Sequence, residues 1–233
     1  MAARATLSLL AALALALPLA EPGRAQVVFG DPSVRPNLTD LFDHLMGQTN
    51  HLRGSRRGME LDREVVFTYD LFFFPDGKVV RVTRISSADP RRPYTKRTYQ
   101  VGSYALDAEE ETITFYFRGS GRESYPAAIF FPQRTMLIGE LALAPVDDYG
   151  LVGVGFAPDQ RLVITAVGEG ARQSPFRQVY RATDEGYIIA TLPRAGDYQI
   201  ILVDDQGRLK PFKRITVGRE TTWSLIDLEF WKD

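Results

Sequence analysis

Residues 64–74 read EVVFTYDLFFF, and Pro75-Asp76-Gly77 follows them directly. Successive side chains of an extended chain point to opposite faces, and here every second position is apolar. The apolar side is Val65, Phe67, Tyr69, Leu71 and Phe73. This run therefore predicts a β-strand, and Gly77, which accepts a positive φ, predicts a tight hairpin into a return strand over 78–85.

Similar runs continue toward the C-terminus and are separated by turns that contain glycine. They predict strands at 98–106, 112–118, 125–131, 135–143, 162–167, 178–182, 187–192, 197–203, 212–217 and 222–230. Short strands at this spacing predict an all-β fold. We expect an antiparallel barrel-like or meander domain over 59–143, followed by a β-sandwich domain over 161–233.

The segments around these two domains are less regular. Residues 144–160 (APVDDYGLVGVGFAPDQ) are rich in Gly, Pro and Asp and are predicted to be a linker. Residues 26–58 are polar, with one short helix that Asn37 or Thr39 caps and that runs through Met46.

The first 25 residues have the layout of a secretory signal peptide. Arg4 precedes a Leu/Ala run over 7–19, and Gly23-Arg24-Ala25 offers a cleavage site after Ala25. The run is shorter than the ~20 residues that span a bilayer, so a retained anchor is the weaker interpretation. We therefore expect a periplasmic or secreted protein that starts at Gln26, with no later membrane-spanning helix.

The composition excludes several kinds of site. The chain has no cysteine, so disulfides, zinc–cysteine sites and thiol chemistry are ruled out. Its formal net charge of −1 argues against a nucleic-acid partner. No cofactor is predicted.

The stretch 186–207, GYIIATLPRAGDYQIILVDDQG, resembles the carboxypeptidase-regulatory or transthyretin-like, immunoglobulin-type β-sandwich domains. In those domains a strand ends in a Leu-Pro turn, and a small residue, Gly, any residue and Tyr follow. The resemblance implies that Tyr198 is buried and that its hydroxyl bonds back to the turn. It also implies a non-catalytic accessory module.

The stretch 72–117 contains FFFPDGKVV and, later, YQVGSYALDAEEETITF. It resembles the repeated hairpins of small exported lipocalin-like barrels. Such barrels either enclose a small apolar ligand or are filled by side chains.

Clusters of reactive residue types are sparse. His44 and His51, with Asp40 and Asp43, are the candidates for a metal site, but their spacing favours a solvated loop without metal. Ser120 lacks the strand–turn–helix context of a nucleophile. The carboxylates at 107–111, 147–148 and 204–205 are interpreted as solvated turns, although acids that converge only in space leave catalysis open.

One stretch suggests a partner surface. Residues 53–97 contain eleven Lys and Arg against six Asp and Glu, and the strands carry more aromatic residues than one face can bury. The candidate surface residues are Arg53, Arg56, Arg57, Arg81, Arg84, Phe72, Phe74, Trp223 and Trp231. A soluble basic face and an aromatic seam between the domains are the alternatives.

These observations favour an exported, non-enzymatic accessory, assembly or binding protein of the bacterial cell envelope. Its partner would be another envelope protein or an anionic envelope component. A lipocalin-like carrier of a small apolar ligand is the alternative, and an envelope enzyme is a third hypothesis.

Overall fold

The computed structural model describes residues 36–131, 133–168, 175–219 and 221–228, which belong to one compact unit. In chain order its elements are α1 (Leu38–Met46), β1 (His51–Glu60), β2 (Arg63–Phe73), β3 (Lys78–Ser87), β4 (Thr95–Asp107), β5 (Thr112–Phe117), β6 (Gly121–Phe130), β7 (Thr135–Ile138), β8 (Leu141–Pro145), β9 (Tyr149–Val154), β10 (Arg161–Val167), β11 (Arg177–Arg181), β12 (Ile188–Leu192), β13 (Gly196–Val203), β14 (Leu209–Val217) and β15 (Trp223–Asp227). The predicted all-β fold with one short helix is confirmed. The predicted signal peptide lies outside the described residues.

Strands β1 to β8 form a closed barrel in which each strand pairs with the next one along the chain. The pairings are antiparallel, and β8 returns to β1, where Pro145 lies opposite Leu52. The predicted antiparallel barrel is confirmed. It runs from His51 to Pro145, however, and is longer than the predicted 59–143.

The alternation that predicts β2 also decides which side chains fill the barrel. Leu71 and Phe73 are buried inside it, whereas Phe72 between them points outward into a different cluster. The hairpin at Gly77 places Val79 opposite Phe73, so β3 continues the same inward face. A closed barrel buries its apolar inner face as a core, and every strand edge in it is paired.

Helix α1 packs against one end of this core. Its Phe42 meets Phe73 edge-on, with 5.2 Å between the ring centroids. Of the two predicted caps, Asn37 is the one used, and its Oδ1 accepts a hydrogen bond from the backbone N–H of Asp40 at 2.9 Å. Across the described residues, no helix is long and apolar enough to cross a membrane.

Strand β1 is not predicted from the sequence, because its inward positions lack an apolar pattern. Those positions are Leu52, Gly54, Arg56 and Gly58. Gly54 stands where the barrel closes, and a Cβ there would collide with the backbone oxygen of Ala142 on β8. Gly54 interrupts the apolar pattern of β1 because β1 and β8 come too close together there for a side chain.

The prediction of a linker over 144–160 is wrong in detail, because this stretch holds the end of β8 and all of β9. Strand β9 is the middle strand of a three-stranded sheet, antiparallel to β12 and parallel to β15. The ring of Trp223 occupies the place that a Cβ on Gly150 would take. Gly150 and Gly153 make room for packed neighbours rather than marking a loop, whereas Gly155, with a φ of +79°, ends β9 in a bend.

The remaining strands form a second sheet beside the three-stranded one, with the order β11-β10-β13-β14. Side chains from both sheets, such as Leu162 of β10 and Ile188 of β12, fill one buried cluster. Two sheets that share a core in this way have the arrangement of a β-sandwich.

The barrel and the three-stranded sheet meet along an apolar seam. We define the seam as the buried cluster of Phe72, Phe74, Val80, Val82, Val101, Val152, Val154 and Trp223. Phe72 of β2 lies 4.6 Å from Trp223 of β15 between ring centroids. Asn50 adds a polar tie: its amide accepts the backbone N–H of Trp223 at 2.8 Å and donates to the carbonyl of Trp223 at 2.9 Å. This seam holds the two parts of the molecule together.

Candidate functional site

The inner face of the barrel lines a cavity of about 560 Å³ that is partly open to solvent. Its lining residues are Arg56, Phe67, Tyr69, Leu71, Arg81, Thr83, Phe115, Glu123, Tyr125, Ile138, Gly139, Glu140 and Leu141. Seven of these thirteen residues are aromatic or aliphatic, and four, Arg56, Arg81, Glu123 and Glu140, carry a charge. Pockets of this size and composition are typical of sites for small molecules.

Arg81 of β3 and Glu123 of β6 form an ion pair in the lining of this cavity. The Arg81 guanidinium donates to both oxygens of Glu123, with Nη1–Oε2 at 2.8 Å and Nη2–Oε1 at 3.0 Å. Its Nε donates to Gln100 at 2.7 Å, and its Cζ lies 4.2 Å from the ring centroid of Phe117. The hydrogen bonds from Arg81 lower the pKa of Glu123, so this carboxylate stays charged. Arg81 is thus fully engaged within the protein.

Arg56 has a different environment. Its Cζ lies 5.8 Å from the Phe67 ring centroid and 5.7 Å from that of Tyr69, whose hydroxyl accepts from Nε at 3.2 Å. Within the described residues, no carboxylate oxygen comes within 4.0 Å of this guanidinium. The Arg56 guanidinium and the Tyr69 hydroxyl therefore provide polar groups next to the apolar side chains of the cavity lining.

His51 forms a second polar centre, on the outside of the barrel. Its Nε2 lies 2.8 Å from Asp70, and its Nδ1 lies 2.9 Å from Asp148. Arg53 Nε donates to the same Asp70 oxygen at 2.6 Å, and the indole N–H of Trp223 donates to Asp148 at 2.7 Å. The prediction that His51 lies in a solvated loop is wrong, because β1 begins at His51 and buries its ring against Phe72 and Trp223.

The charges around His51 change its acid–base behaviour. Burial disfavours the charged imidazolium, but the two carboxylates outweigh burial and raise the pKa of His51. Burial likewise acts on Asp70, and there the hydrogen bonds from His51 and Arg53 prevail and lower the pKa of the carboxyl. Protonated His51 is therefore the form that this cluster stabilises.

The predicted partner surface does not form one patch. Phe72, Phe74 and Trp223 are buried in the seam, the alternative that the sequence also allows. Arg56 and Arg81 line the barrel cavity, while Arg53 and Arg84 line a cleft outside it. The Arg57 side chain is exposed, with one oxygen of Glu64 3.5 Å away. Trp231 lies outside the described residues.

The other candidate residues from the sequence do not come together in one site. His44 lies on α1, where its ring packs against Phe131, and it does not share a site with His51. In the part of the chain that the structure describes, no group of three His, Asp or Glu residues is arranged to hold a metal ion. Asp107 caps its own turn by accepting two backbone N–H groups, as expected for a turn carboxylate.

Glu123, Tyr125 and Asp148 are not among the site residues predicted from the sequence. One signal was within reach: the hairpin at Gly77 sets the register of β2 and β3, which places Arg81 opposite Leu71 on the inward face. An arginine on an inward face indicates a polar partner inside the barrel. No local pattern identifies Glu123 as that partner.

No known protein-family model matches this chain, and no curated protein sequence matches it either.

Proposed function

We propose that this protein binds a small, largely apolar molecule with a polar end inside its barrel. The observation that carries the proposal is the cavity of about 560 Å³ in a closed eight-stranded barrel. Eight-stranded barrels are wide enough to hold one small ligand. The geometry thus favours the carrier hypothesis over the accessory function that the sequence ranked first.

The lining supports an orientation for the ligand. Phe67, Leu71, Phe115 and Ile138 offer the apolar surface that would take the body of the molecule. Arg56 can donate hydrogen bonds to a polar end without giving up a carboxylate partner. Arg81 and Glu123 satisfy each other and so add no unpaired charge.

The β1–β2 hairpin ends in two exposed apolar side chains. Met59 is 65% exposed and Leu61 is 89% exposed, and Arg56 lies on the same strand between this tip and the barrel interior. Leu61 has a φ of +48°, a conformation that disfavours a leucine. Leu61 is therefore a candidate contact for an apolar molecule at the tip of the hairpin. Export to the cell envelope remains part of the proposal and rests on residues 1–25 alone.

The experiment uses the full chain and N-phenyl-1-naphthylamine, a neutral apolar dye that fluoresces when it is shielded from water. We expect one equivalent to bind. Thr83→Trp should weaken binding by about tenfold or more, because the new ring fills the cavity that the dye needs. Mass spectrometry of an organic extract of the purified protein then identifies any molecule that copurifies.

Ala105→Trp is the matched control, because Ala105 is exposed on the outer face of the adjacent strand β4. It should leave dye affinity unchanged within about twofold. If Thr83→Trp folds, as judged by circular dichroism, and still binds like the wild type, then the barrel is not the binding site and the proposal fails.

A further inference from the structure

A second cavity lies outside the barrel, next to the seam. This cleft has a volume of about 210 Å³ and is lined by His51, Arg53, Asp70, Phe72, Val82, Arg84, Arg97, Tyr99, Asp148, Ile189, Thr191 and Trp223. Its floor is the outer face of β1 to β4, and β12 and β15 contribute the opposite wall. Three of the lining side chains are arginines.

The strand register brings two of these arginines together. Arg84 of β3 lies directly opposite Arg97 of β4, and like charges at such positions repel each other. The Nε of Arg84 is buried and has no hydrogen-bond partner. Buried donors are nearly always satisfied, so an unsatisfied one inside a cavity indicates a missing acceptor.

The two carboxylates of the cleft do not supply that acceptor. Asp70 is held by His51 and Arg53, and Asp148 is held by His51 and Trp223. Among the described residues, no carboxylate oxygen lies within 4.0 Å of the Arg84 or Arg97 guanidinium. With His51 protonated, the form that its cluster stabilises, the lining carries four positive charges against two negative ones.

We propose that this cleft binds a compact oxyanion, a carboxylate or phosphate group, between Arg84 and Arg97. Guanidinium groups bind both kinds of anion through paired hydrogen bonds, and an anion between them would remove the repulsion across the two strands. The volume suits a small acid or a phosphate monoester rather than a large molecule. This site is separate from the barrel cavity, which shares none of its lining residues.

The test titrates the full chain with inorganic phosphate and, separately, with succinate at constant ionic strength, using calorimetry. We expect saturable binding of at least one of them. Arg84→Gln and Arg97→Gln should each weaken it by about tenfold, the effect of losing a charge-assisted hydrogen bond. Tighter binding of phosphate assigns a phosphate group, and tighter binding of succinate assigns a carboxylate.

Arg122→Gln is the matched control, because Arg122 is an exposed arginine on β6, away from the cleft. It should bind the anion like the wild type, and so should Thr83→Trp, which alters only the barrel. If Arg84→Gln does not fold, Arg97→Gln, a more exposed position, carries the test alone. Absence of saturable binding of both anions, or unchanged affinity in folded Arg97→Gln, would overturn the proposal.

Discussion

At the scale of single residues, His51 is the centre of a buried charged cluster. It is one of only two histidines in the chain, and it bridges Asp70 and Asp148 from opposite sides of its ring. Removing one member of a buried charged cluster leaves the others without compensation. We therefore expect His51→Leu to cost about 3–5 kcal/mol of unfolding free energy, measured by urea denaturation. His44→Gln should change the unfolding free energy far less.

The same cluster predicts a pH dependence of stability. Because the pKa of His51 is raised in the folded state, its contribution is complete below the ordinary value of 6.5 and is lost as pH rises through the raised pKa. Because the pKa of Asp70 is lowered, its contribution is complete above 3.8 and is lost as pH falls through the lowered pKa.

Urea denaturation from about pH 5 to about pH 9 measures this effect, and the unfolding free energy of the wild type should decline on the alkaline side. The decline should disappear in His51→Leu and persist in His44→Gln. An alkaline decline of the same size in His51→Leu would show that other groups cause it.

At the scale of elements, the corner between β12 and β13 has the geometry that the sequence predicts. Tyr198 is 1% exposed, and its hydroxyl donates to the carbonyl of Arg194 at 2.8 Å. Gly196 has a φ of +150°, which a β-branched residue does not readily adopt. The resemblance to transthyretin-like domains remains a prediction, since several kinds of sandwich use such a corner.

The corner yields a graded series of expected losses in stability. Tyr198→Phe removes one hydrogen bond and should cost about 1 kcal/mol, while Tyr198→Ala also removes a buried ring and should cost about 3–5 kcal/mol. Gly196→Val should be comparably damaging. Tyr116→Ala, at an exposed tyrosine on β5, is the control and should have little effect on thermal stability. A Tyr198→Ala protein that melts like the wild type would contradict the structural role of the corner.

At the scale of the whole molecule, the seam makes the barrel and the two-sheet part dependent on each other. The sequence alone predicts two domains joined by a linker over 144–160. Burial of Phe72 and Trp223 across the seam, together with the hydrogen bonds of Asn50, instead favours one cooperative transition.

Because the chain has no native cysteine, single introduced cysteines can test whether the barrel and the two-sheet part open together. Ala127→Cys places a thiol inside the barrel, and Ala190→Cys places one in the two-sheet core. Tyr198→Ala should accelerate thiol labelling at both positions to a similar degree, because global opening exposes both. Acceleration at position 190 with no change at position 127 would show that the two parts open independently.

Local patterns in the sequence determined the β-rich fold, the hairpin at Gly77, the short helix with a cap at Asn37 or Thr39, and the corner at Tyr198. Each depends on residues close together in the chain, where alternation, turn chemistry and capping act. Tertiary structure alone decided the two candidate sites. Glu123 reaches Arg81 from 42 positions away, and Asp148 reaches His51 from 97 positions away. Strand register and barrel closure create these pairs, and neither leaves a mark in a single stretch of sequence.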